Sequence, residues 1–308
     1  MAGLLMSTTD APPAATQTGG RAGAEPRATR RLRLADGWGL LALPLVGYLL
    51  VVFILPLAVI LARSVTDPEP GLGNFQAILD SPVYTRVLVN TFVTAIAATV
   101  ITLLIGYPYA YLMTLAPPFW RNVLLVVVLL PFWTSLLVRS FALVLLLRDT
   151  GVVNETLRAI GLISEPFPLM RNLTGVLIGM VQVLLPFMVL PLYATMQGID
   201  RRLLRAAEVL GARPSFAFWR IFVPLSAPGV LAGSLLVFIQ ALGFYITPAL
   251  LGGPTSTMLG ELIVQQVSSV LNWGFAAALA AVLLGATLLL LAIAGRFIDL
   301  RRWLWSKP

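Results

Sequence analysis

The chain has 308 residues, of which 58% are hydrophobic and 11% are charged, with a formal net charge of +8 and a mean hydropathy of +0.91. An average soluble domain carries roughly 25% charged residues, so this composition is typical of an integral membrane protein. The chain contains no Cys and no His, which excludes disulfides, thiol nucleophiles, histidine bases and Cys/His zinc sites. Its only lysine is Lys307, so a P-loop motif does not occur and any ATP must be hydrolysed by a partner.

The first 36 residues differ in composition from the rest of the chain. Residues 1–36 are rich in Ala, Pro, Thr, Gly and Arg, show no apolar periodicity and end in a basic run from Arg27 to Arg33. Such a segment buries too little apolar surface to fold. The pattern therefore predicts a disordered basic tail on the cytoplasmic side of a membrane.

Six apolar runs follow the tail. The first, Trp38–Ala62, is too long for a signal-peptide core and lacks a clear cleavage site, so we interpret it as an uncleaved transmembrane helix. The other five lie at 87–113, 122–147, 173–196, 227–250 and 272–295. Each run can cross ~30 Å of hydrocarbon at about 1.5 Å per residue. The sequence predicts an all-α membrane protein with six transmembrane helices in a domain at 37–297 and a short cytoplasmic tail at 298–308.

Prolines interrupt several of these runs. They are Pro44, Pro56, Pro108, Pro131, Pro186, Pro191 and Pro248. Because proline lacks an N–H and clashes with the preceding turn, we expect several of the helices to kink. Proline is also frequent in membrane helices of every function, so a kink does not by itself indicate a mechanism.

The distribution of cations predicts the orientation. If the N terminus is cytoplasmic, the cytoplasmic tails and loops carry 15 of the 21 Lys and Arg residues, in agreement with the positive-inside rule. We therefore expect a multi-pass protein of the cell inner membrane with both termini in the cytoplasm. The same asymmetry accounts for the basic net charge, so we expect no nucleic-acid partner.

The cytoplasmic loop at 198–226 predicts a short amphipathic helix. Asp200 is a candidate N-cap, Gly211 a candidate C-terminal residue, and Pro214 a stop. One helical side carries charged side chains, namely Arg201, Arg205 and Glu208. The opposite side carries apolar ones, namely Leu203, Ala206, Ala207 and Leu210. The pattern fits a helix that docks in the groove of another protein, and equally one that lies on the bilayer.

The run from Arg205 to Gly229 resembles the EAA signature of permease subunits of type I ABC importers. The matching positions are Ala206, Ala207, Leu210, Gly211, Ala212, Phe218, Ile221, Pro224, Pro228 and Gly229. The resemblance implies a coupling helix that docks in a cleft of a partner ATPase. It assigns the coupling contacts to Arg205, Ala206, Ala207, Glu208, Leu210, Gly211 and Pro224. Arg205 stands where the family has Glu, and Glu208, one turn later, is the alternative polar contact.

Three further segments, 131–142, 149–162 and 243–254, are similar to the spermidine/putrescine type of permease, specifically the first of its two permease subunits. The resemblance implies the six-helix type I permease bundle and a non-catalytic transport subunit without a cofactor. It implies a second permease, two cytosolic ATPase subunits and an extracytoplasmic solute-binding protein as partners. It favours import of a polyamine by alternating access, while similar permeases import iron(III), thiamine, phosphonates or amino-acid derivatives.

Few polar side chains occur inside the predicted spans. Arg139 is the only charge well inside one, so it either faces the transport pathway or clamps Asp149, Glu155 or backbone carbonyls. An arginine lining the pathway would repel a polycation. The candidates for the pathway and its external gate are Arg139, Gln182, Gln240, Tyr245, Thr247 and Glu261. Bonding between helices is the alternative role for the neutral members of this set, and for Asn90 and Thr91.

Two other function classes fit the sequence less well. A self-sufficient secondary transporter or channel generally needs an intramembrane Asp, Glu or His for proton coupling, and the interiors of the predicted spans contain none. An intramembrane enzyme needs a nucleophile with a base, and Ser135 and Ser234 have neither His nor Lys nearby.

Overall fold

The computed structural model describes residues 37–305, and side-chain surroundings within that range for 44–293, 295 and 296. In this described part the backbone forms helices and turns without a strand. The helices are α1 (Gly37–Thr66), α2 (Gly73–Asp80), α3 (Pro82–Leu115), α4 (Pro118–Leu129), α5 (Leu136–Leu147), α6 (Val152–Ala159), α7 (Leu173–Gln197), α8 (Arg202–Val209), α9 (Pro214–Ala217), α10 (Val223–Leu242), α11 (Ile246–Leu251), α12 (Leu259–Gln265) and α13 (Trp273–Trp305). The prediction of an all-α protein is confirmed.

The chain divides into two compact units, Met1–Phe53 and Ile54–Pro308. The described part of the first unit is the beginning of α1. The second unit holds the rest of α1 and all other helices. The predicted basic tail at 1–36 lies outside the described residues. At the other end, α13 continues to Trp305, past the predicted end of the sixth span.

Five segments of the described chain are helical, long and apolar enough to cross a membrane. They are Pro44–Thr66, Pro82–Leu115, Leu173–Gln197, Pro214–Leu242 and Trp273–Ile293. Four of them coincide with the spans predicted at Trp38–Ala62, 87–113, 173–196 and 272–295. The two other predicted spans need correction.

The third span, predicted as one helix at 122–147, is broken in the structure. Two helical segments, Pro118–Trp133 and Leu136–Ala159, meet at an angle of 100°. The break follows Pro131, which lies in a 3₁₀ turn at Leu130–Trp133, and Thr134 after it is extended. Proline removes a donor from the helical ladder, and the extended residue ends the ladder altogether.

The fifth span, predicted at 227–250, begins and ends earlier along the chain. Its helix runs from Pro214 to Leu242, and Gly243 separates it from the short α11. The helix passes Pro224 because a π-helical turn at Phe218–Phe222 precedes it, in which the Val223 N–H bonds to the Phe218 carbonyl. This wider turn relieves the clash of the proline ring with the carbonyl four residues earlier. The loop predicted at 198–226 is correspondingly shorter.

The core of the bundle is the packing of α7 between α3 and α10. Glycines permit this close approach: a Cβ at Gly229 would meet Thr195 Oγ1 at 2.7 Å and Thr195 Cβ at 2.8 Å. One turn further along α10, a Cβ at Gly233 would lie 2.9 Å from Met188 Sδ. A Cβ at Gly106 of α3 would lie 2.9 Å from Met188 Cγ. Small residues four apart are the usual means by which membrane helices approach closely. α7 is the most buried of the candidate spans.

The packing predicts a stability difference between two glycines. Gly229→Ala should destabilise the protein by about 1–3 kcal/mol, because Thr195 is β-branched and cannot move aside easily. Gly285→Ala in α13, where a Cβ meets nothing within 4 Å, should leave stability unchanged or raise it by up to about 1 kcal/mol. Thermal unfolding of the detergent-solubilised chain measures both variants. Equal melting temperatures would contradict the packing argument.

Candidate functional site

The ends of α8 are built by local hydrogen bonds. The Asp200 carboxylate accepts a hydrogen bond from the Arg202 backbone N–H at 2.9 Å, and the helix follows directly. At the other end, Gly211 has a φ of +90°, a conformation that strains other residues. The N–H groups of Gly211 and Ala212 bond to the carbonyls of Glu208 at 2.9 Å and Ala207 at 3.0 Å. This pair of bonds is a Schellman motif, so the end at Gly211 occurs as predicted. The helix begins at Arg202 with Arg201 at its N-cap position, so the predicted N-cap at Asp200 is one residue too early.

The two sides of α8 differ from the prediction. Leu204 and Ala207 are half-buried, and Leu204 packs against the bundle core. Ala206 is exposed, and Val209 and Leu210 are 87% and 88% exposed. The predicted apolar side is therefore split, because Ala207 turns toward the bundle and Ala206 turns away. We call Ala206, Val209 and Leu210 the apolar tip of α8.

The apolar tip includes one residue that the sequence reasoning missed. Val209 lies three positions after Ala206, so helical spacing places the two side chains on the same side of α8 and could have predicted it. Arg205 and Glu208 are both exposed beside the tip. A large apolar side chain that is almost fully exposed is typical of a surface that another protein covers.

Four aromatic rings join the loop after α8 to α3. Phe218 and Phe222 of the π-helical turn lie against Tyr111, each with a ring-centroid distance of 5.1 Å. Phe218 also lies edge-on to Tyr107 at 6.4 Å, and the Tyr107 hydroxyl is 2.9 Å from Ser226 Oγ. We call Tyr107, Tyr111, Phe218 and Phe222 the aromatic joint. These edge-to-face contacts pack the segment after α8 directly on α3.

Arg201 and Pro224 lie at the two ends of this segment. The Arg201 guanidinium donates to the Thr114 carbonyl at the end of α3. Pro224, a predicted coupling residue, lies just after the π-helical turn and begins the regular part of the fifth span. The loop is therefore attached to the bundle on both sides of the apolar tip.

A cavity of 260 Å³ lies beside the break in the third span. It brings together two predicted pathway residues, Arg139 and Gln240. Its aromatic lining comes from Phe132, Phe187 and Phe244. The rings of Phe132 and Phe187 meet edge to face, with centroids 5.3 Å apart.

Arg139 clamps the broken backbone. Its guanidinium donates to the carbonyl oxygens of Pro131 and Thr134, the latter at 3.0 Å, and to Thr134 Oγ1 at 2.8 Å. These carbonyls belong to the turn where the α-helical ladder stops, and the Pro131 carbonyl also accepts from the Thr134 N–H at 3.4 Å and from Thr134 Oγ1 at 3.1 Å. Of the two roles predicted for Arg139, these contacts favour the backbone clamp. Arg139 donates to these carbonyl oxygens and also borders the cavity.

The other predicted pathway residues lie apart from this cavity. Gln182 is exposed and borders a separate apolar groove of 390 Å³ between α3 and α7. Thr247 is buried with its methyl group against Gly179 of α7, and its hydroxyl has no hydrogen-bond partner among the described residues. Tyr245 is exposed at the start of α11. The helical period places these residues on spans, but it does not predict which of them share a cavity.

Glu261 lies in the segment between α11 and α13, and two residues of α3 bond to this segment. Glu261 is half-buried in α12, and burial raises the pKa of its carboxyl group while a backbone hydrogen bond at Met258 opposes the shift. The Asn90 amide donates to the Thr255 carbonyl at 2.8 Å, and Thr91 Oγ1 accepts from the Leu259 N–H at 2.8 Å. Asn90 and Thr91 thus bond between elements, as the alternative for these residues predicted.

Comparisons with known proteins show extended similarity. Residues 103–301 match the family of binding-protein-dependent transport system inner membrane components. The chain is 35% identical to the spermidine/putrescine transport system permease protein PotB of Salmonella typhimurium (strain SL1344), over 83% of this chain and 92% of that protein. It is 39% identical to PotB of Haemophilus influenzae over 69% of this chain and 73% of the relative. A probable molybdenum ABC transporter permease of Haloferax volcanii is 30% identical over 84% of this chain and 92% of that protein.

Solved structures show the same fold. A chain of a bacterial ABC transporter that imports the acidic polysaccharide alginate superposes with a TM-score of 0.65 at 21% identity, covering 88% of this chain and 96% of that one. A second alginate transporter structure, solved with a periplasmic protein that binds an alginate pentasaccharide, superposes with a TM-score of 0.65 at 20% identity, covering 83% and 92%.

The clamp predicts that charge alone does not replace Arg139. Arg139→Lys keeps the positive charge but loses the planar fork that reaches two carbonyls, so stability should fall by about 1–3 kcal/mol. The exposed Arg158 of α6 provides the control, and Arg158→Lys should melt with the parent. Thermal unfolding in detergent compares the two. A parent-like melting temperature for Arg139→Lys would show that the contacts do not hold the turn.

Proposed function

The chain belongs to the family of binding-protein-dependent transport system inner membrane components and is an ABC importer permease, and on this basis we propose that it carries a polyamine such as spermidine or putrescine inward by alternating access. The observation that carries the proposal is the identity of 35% with a spermidine/putrescine permease over 83% of this chain. That stretch is long enough to include both the cavity and the α8 loop. The shared fold with alginate importers supports the bundle and leaves the solute open.

The proposed assembly contains four kinds of subunit. This permease pairs with a second permease, two cytosolic ATPase subunits supply the energy, and an extracytoplasmic solute-binding protein delivers the solute. The absence of a P-loop from the sequence supports hydrolysis of ATP on a partner. The similar alginate transporter solved together with a periplasmic protein supports the binding-protein partner. The cation distribution supports cytoplasmic N and C termini in the inner membrane.

The apolar tip is the proposed contact with the ATPase. Ala206 and Leu210 insert into a cleft of the ATPase together with Val209, while Arg205 and Glu208 lie at its rim. Ala207 seats α8 on the bundle, and Gly211 forms the turn that presents the tip. Closure of the two ATPase subunits then moves α8. The near-complete exposure of Val209 and Leu210 supports this assignment.

The aromatic joint is the proposed route from this movement to the membrane. Phe218 transmits a displacement of the loop to Tyr107 and Tyr111 on α3, and α3 packs on α7 and α10, which border the cavity. Pro224 and the π-helical turn allow the cytoplasmic end of the fifth span to bend without breaking. Such a route couples two sites through elements in direct contact.

The cavity is the proposed place where solute passes. The Gln240 carbonyl can accept a hydrogen bond from an ammonium group, and the faces of Phe132 and Phe187 attract cations. Arg139 donates to backbone carbonyls, and their partial negative charges reduce its repulsion of a cationic solute. These are weak contacts, and weak binding suits release on the far side.

The external gate is the proposed role of α11 and the residues around it. Gly243 ends the fifth span, so α11 can change its angle there. Tyr245 and Thr247 move with α11, and Glu261 lies on the neighbouring α12. The unpaired hydroxyl of buried Thr247 supports a second position of α11, because such a hydroxyl raises the free energy of the present one. Gln182 lies on the other side of α7 and in this scheme bonds to a neighbouring subunit.

A permease for an oxyanion is the second candidate function. Arg139 borders the cavity, and a molybdenum-type relative is 30% identical. Uptake by the complete complex in vesicles separates the two candidates. ATP-dependent accumulation of labelled spermidine, unaffected by excess molybdate, supports the polyamine. Accumulation of molybdate without spermidine would refute the polyamine proposal.

The cavity predicts a solute-affinity effect at Gln240. Gln240→Ala removes the proposed acceptor for a charged donor, so the apparent KM for spermidine should rise about 10-fold with little change in ATP hydrolysis. Gln265→Ala, at an exposed position away from the cavity, is the control and should leave KM unchanged. An unchanged KM in Gln240→Ala would exclude this residue from the pathway.

The apolar tip predicts uncoupling at Ala206. Ala206→Arg places an unpaired charge in the proposed ATPase contact, so uptake should fall roughly 10-fold or more while ATP hydrolysis continues and the chain stays in the membrane. Ala206→Ser has nearly the same size and should retain coupling. The ratio of solute transported to ATP hydrolysed is the measurement. Parent-like coupling in Ala206→Arg would refute the docking assignment.

A further inference from the structure

A wide groove separates the end of α8 from the π-helical turn that begins the fifth span. It has a volume of 810 Å³, and we call it the arginine groove (Arg213, Phe216, Trp219 and Arg220, with Leu210 at the opposite edge). Phe216 is 56% exposed and Trp219 is 67% exposed. The Arg220 guanidinium carbon lies 6.0 Å from the centroid of the Phe216 ring. No carboxylate is found among the described residues that line this groove.

The length of the fifth span sets the depth of the groove in the bilayer. The helical segment Pro214–Leu242 has 29 residues, which is about 43 Å at 1.5 Å per residue. The hydrocarbon layer is only about 30 Å thick, and the 20 residues of α10 already cover it. The turns at 214–222 therefore lie at the level of the lipid headgroups. Trp219 fits that level, since tryptophan is enriched at membrane interfaces.

The chemistry of the groove selects an anion that carries acyl chains. Arg213 and Arg220 both border the groove, so the groove presents two guanidinium groups to an anion. The exposed faces of Phe216 and Trp219 offer apolar contact to the glycerol and upper acyl region. We propose that the arginine groove binds the headgroup of one anionic phospholipid. This site goes beyond the transport function and does not depend on the identity of the solute.

A lipid at this position contacts both the end of α8 and the start of the fifth span. It therefore fixes the segment between the apolar tip and the fifth span in position relative to the bilayer. A zwitterionic phospholipid has no net negative charge and gains less from the two arginines. A single arginine near an anionic surface contributes about 5-fold in affinity, so two together give roughly 30-fold.

Native mass spectrometry of the purified full chain tests the site. The chain in detergent is titrated with phosphatidylglycerol or phosphatidylcholine, and the apparent dissociation constants are compared. We expect one phosphatidylglycerol to bind roughly 30-fold more tightly than phosphatidylcholine. The double variant Arg213→Gln/Arg220→Gln should lose this preference. Arg86→Gln/Arg158→Gln, which removes two exposed arginines elsewhere, should keep it.

Two additional arms separate the lipid from other occupants. Arg213→Lys/Arg220→Lys keeps the charge and should retain most of the preference, which shows that loss in the glutamine variant is not a folding defect. Excess inorganic phosphate should not displace the lipid, because it lacks the acyl chains. Equal affinity of the parent for the two lipids would overturn the proposal. A second result would also overturn it: a purified ATPase partner displaces the lipid from the parent and fails to bind the glutamine variant. The groove would then be a protein-docking surface.

Discussion

The requirement that every backbone polar group inside hydrocarbon finds a partner governs this structure. Helices meet it within themselves, and for this reason the described chain crosses the membrane as helices. The break in the third span interrupts the α-helical ladder at the turn that carries the Pro131 and Thr134 carbonyls. Arg139 compensates for it with its guanidinium donors. The only charge well inside the predicted spans thus adds donors to the turn where the regular helical ladder stops, beside the cavity.

Close helix packing makes the same bundle respond as a unit. Gly229 and Gly233 let α10 approach α7, and Gly106 does the same for α3. Because these contacts leave no space for adjustment, a movement of α3 cannot be absorbed locally. The aromatic joint connects α3 to the loop after α8. The proposed coupling to a partner ATPase requires packing of this kind.

Three features of different chemistry lie close together between α8 and the start of the fifth span. The apolar tip is exposed, the aromatic joint packs against α3, and the arginine groove presents two guanidinium groups beside two exposed aromatic rings. The π-helical turn at Phe218–Phe222 makes this possible, because it rotates successive side chains differently from a regular helix. Phe218 consequently points to α3, while Trp219 is exposed.

The sequence alone determined the elements whose signals are local. Apolar runs of sufficient length predicted four of the spans, Gly211 predicted the end of α8, and the EAA-like run predicted the family. Hydropathy, caps and motifs depend on neighbouring residues along the chain, so they can be read without a fold. Tertiary structure alone decided the rest: the break after Pro131, the clamp by Arg139, the inward turn of Ala207, and the separation of Gln182 and Thr247 from the cavity. Each of these depends on which side chains distant in sequence meet in space, and a helical period specifies a face of a helix but not the neighbour that the face will meet.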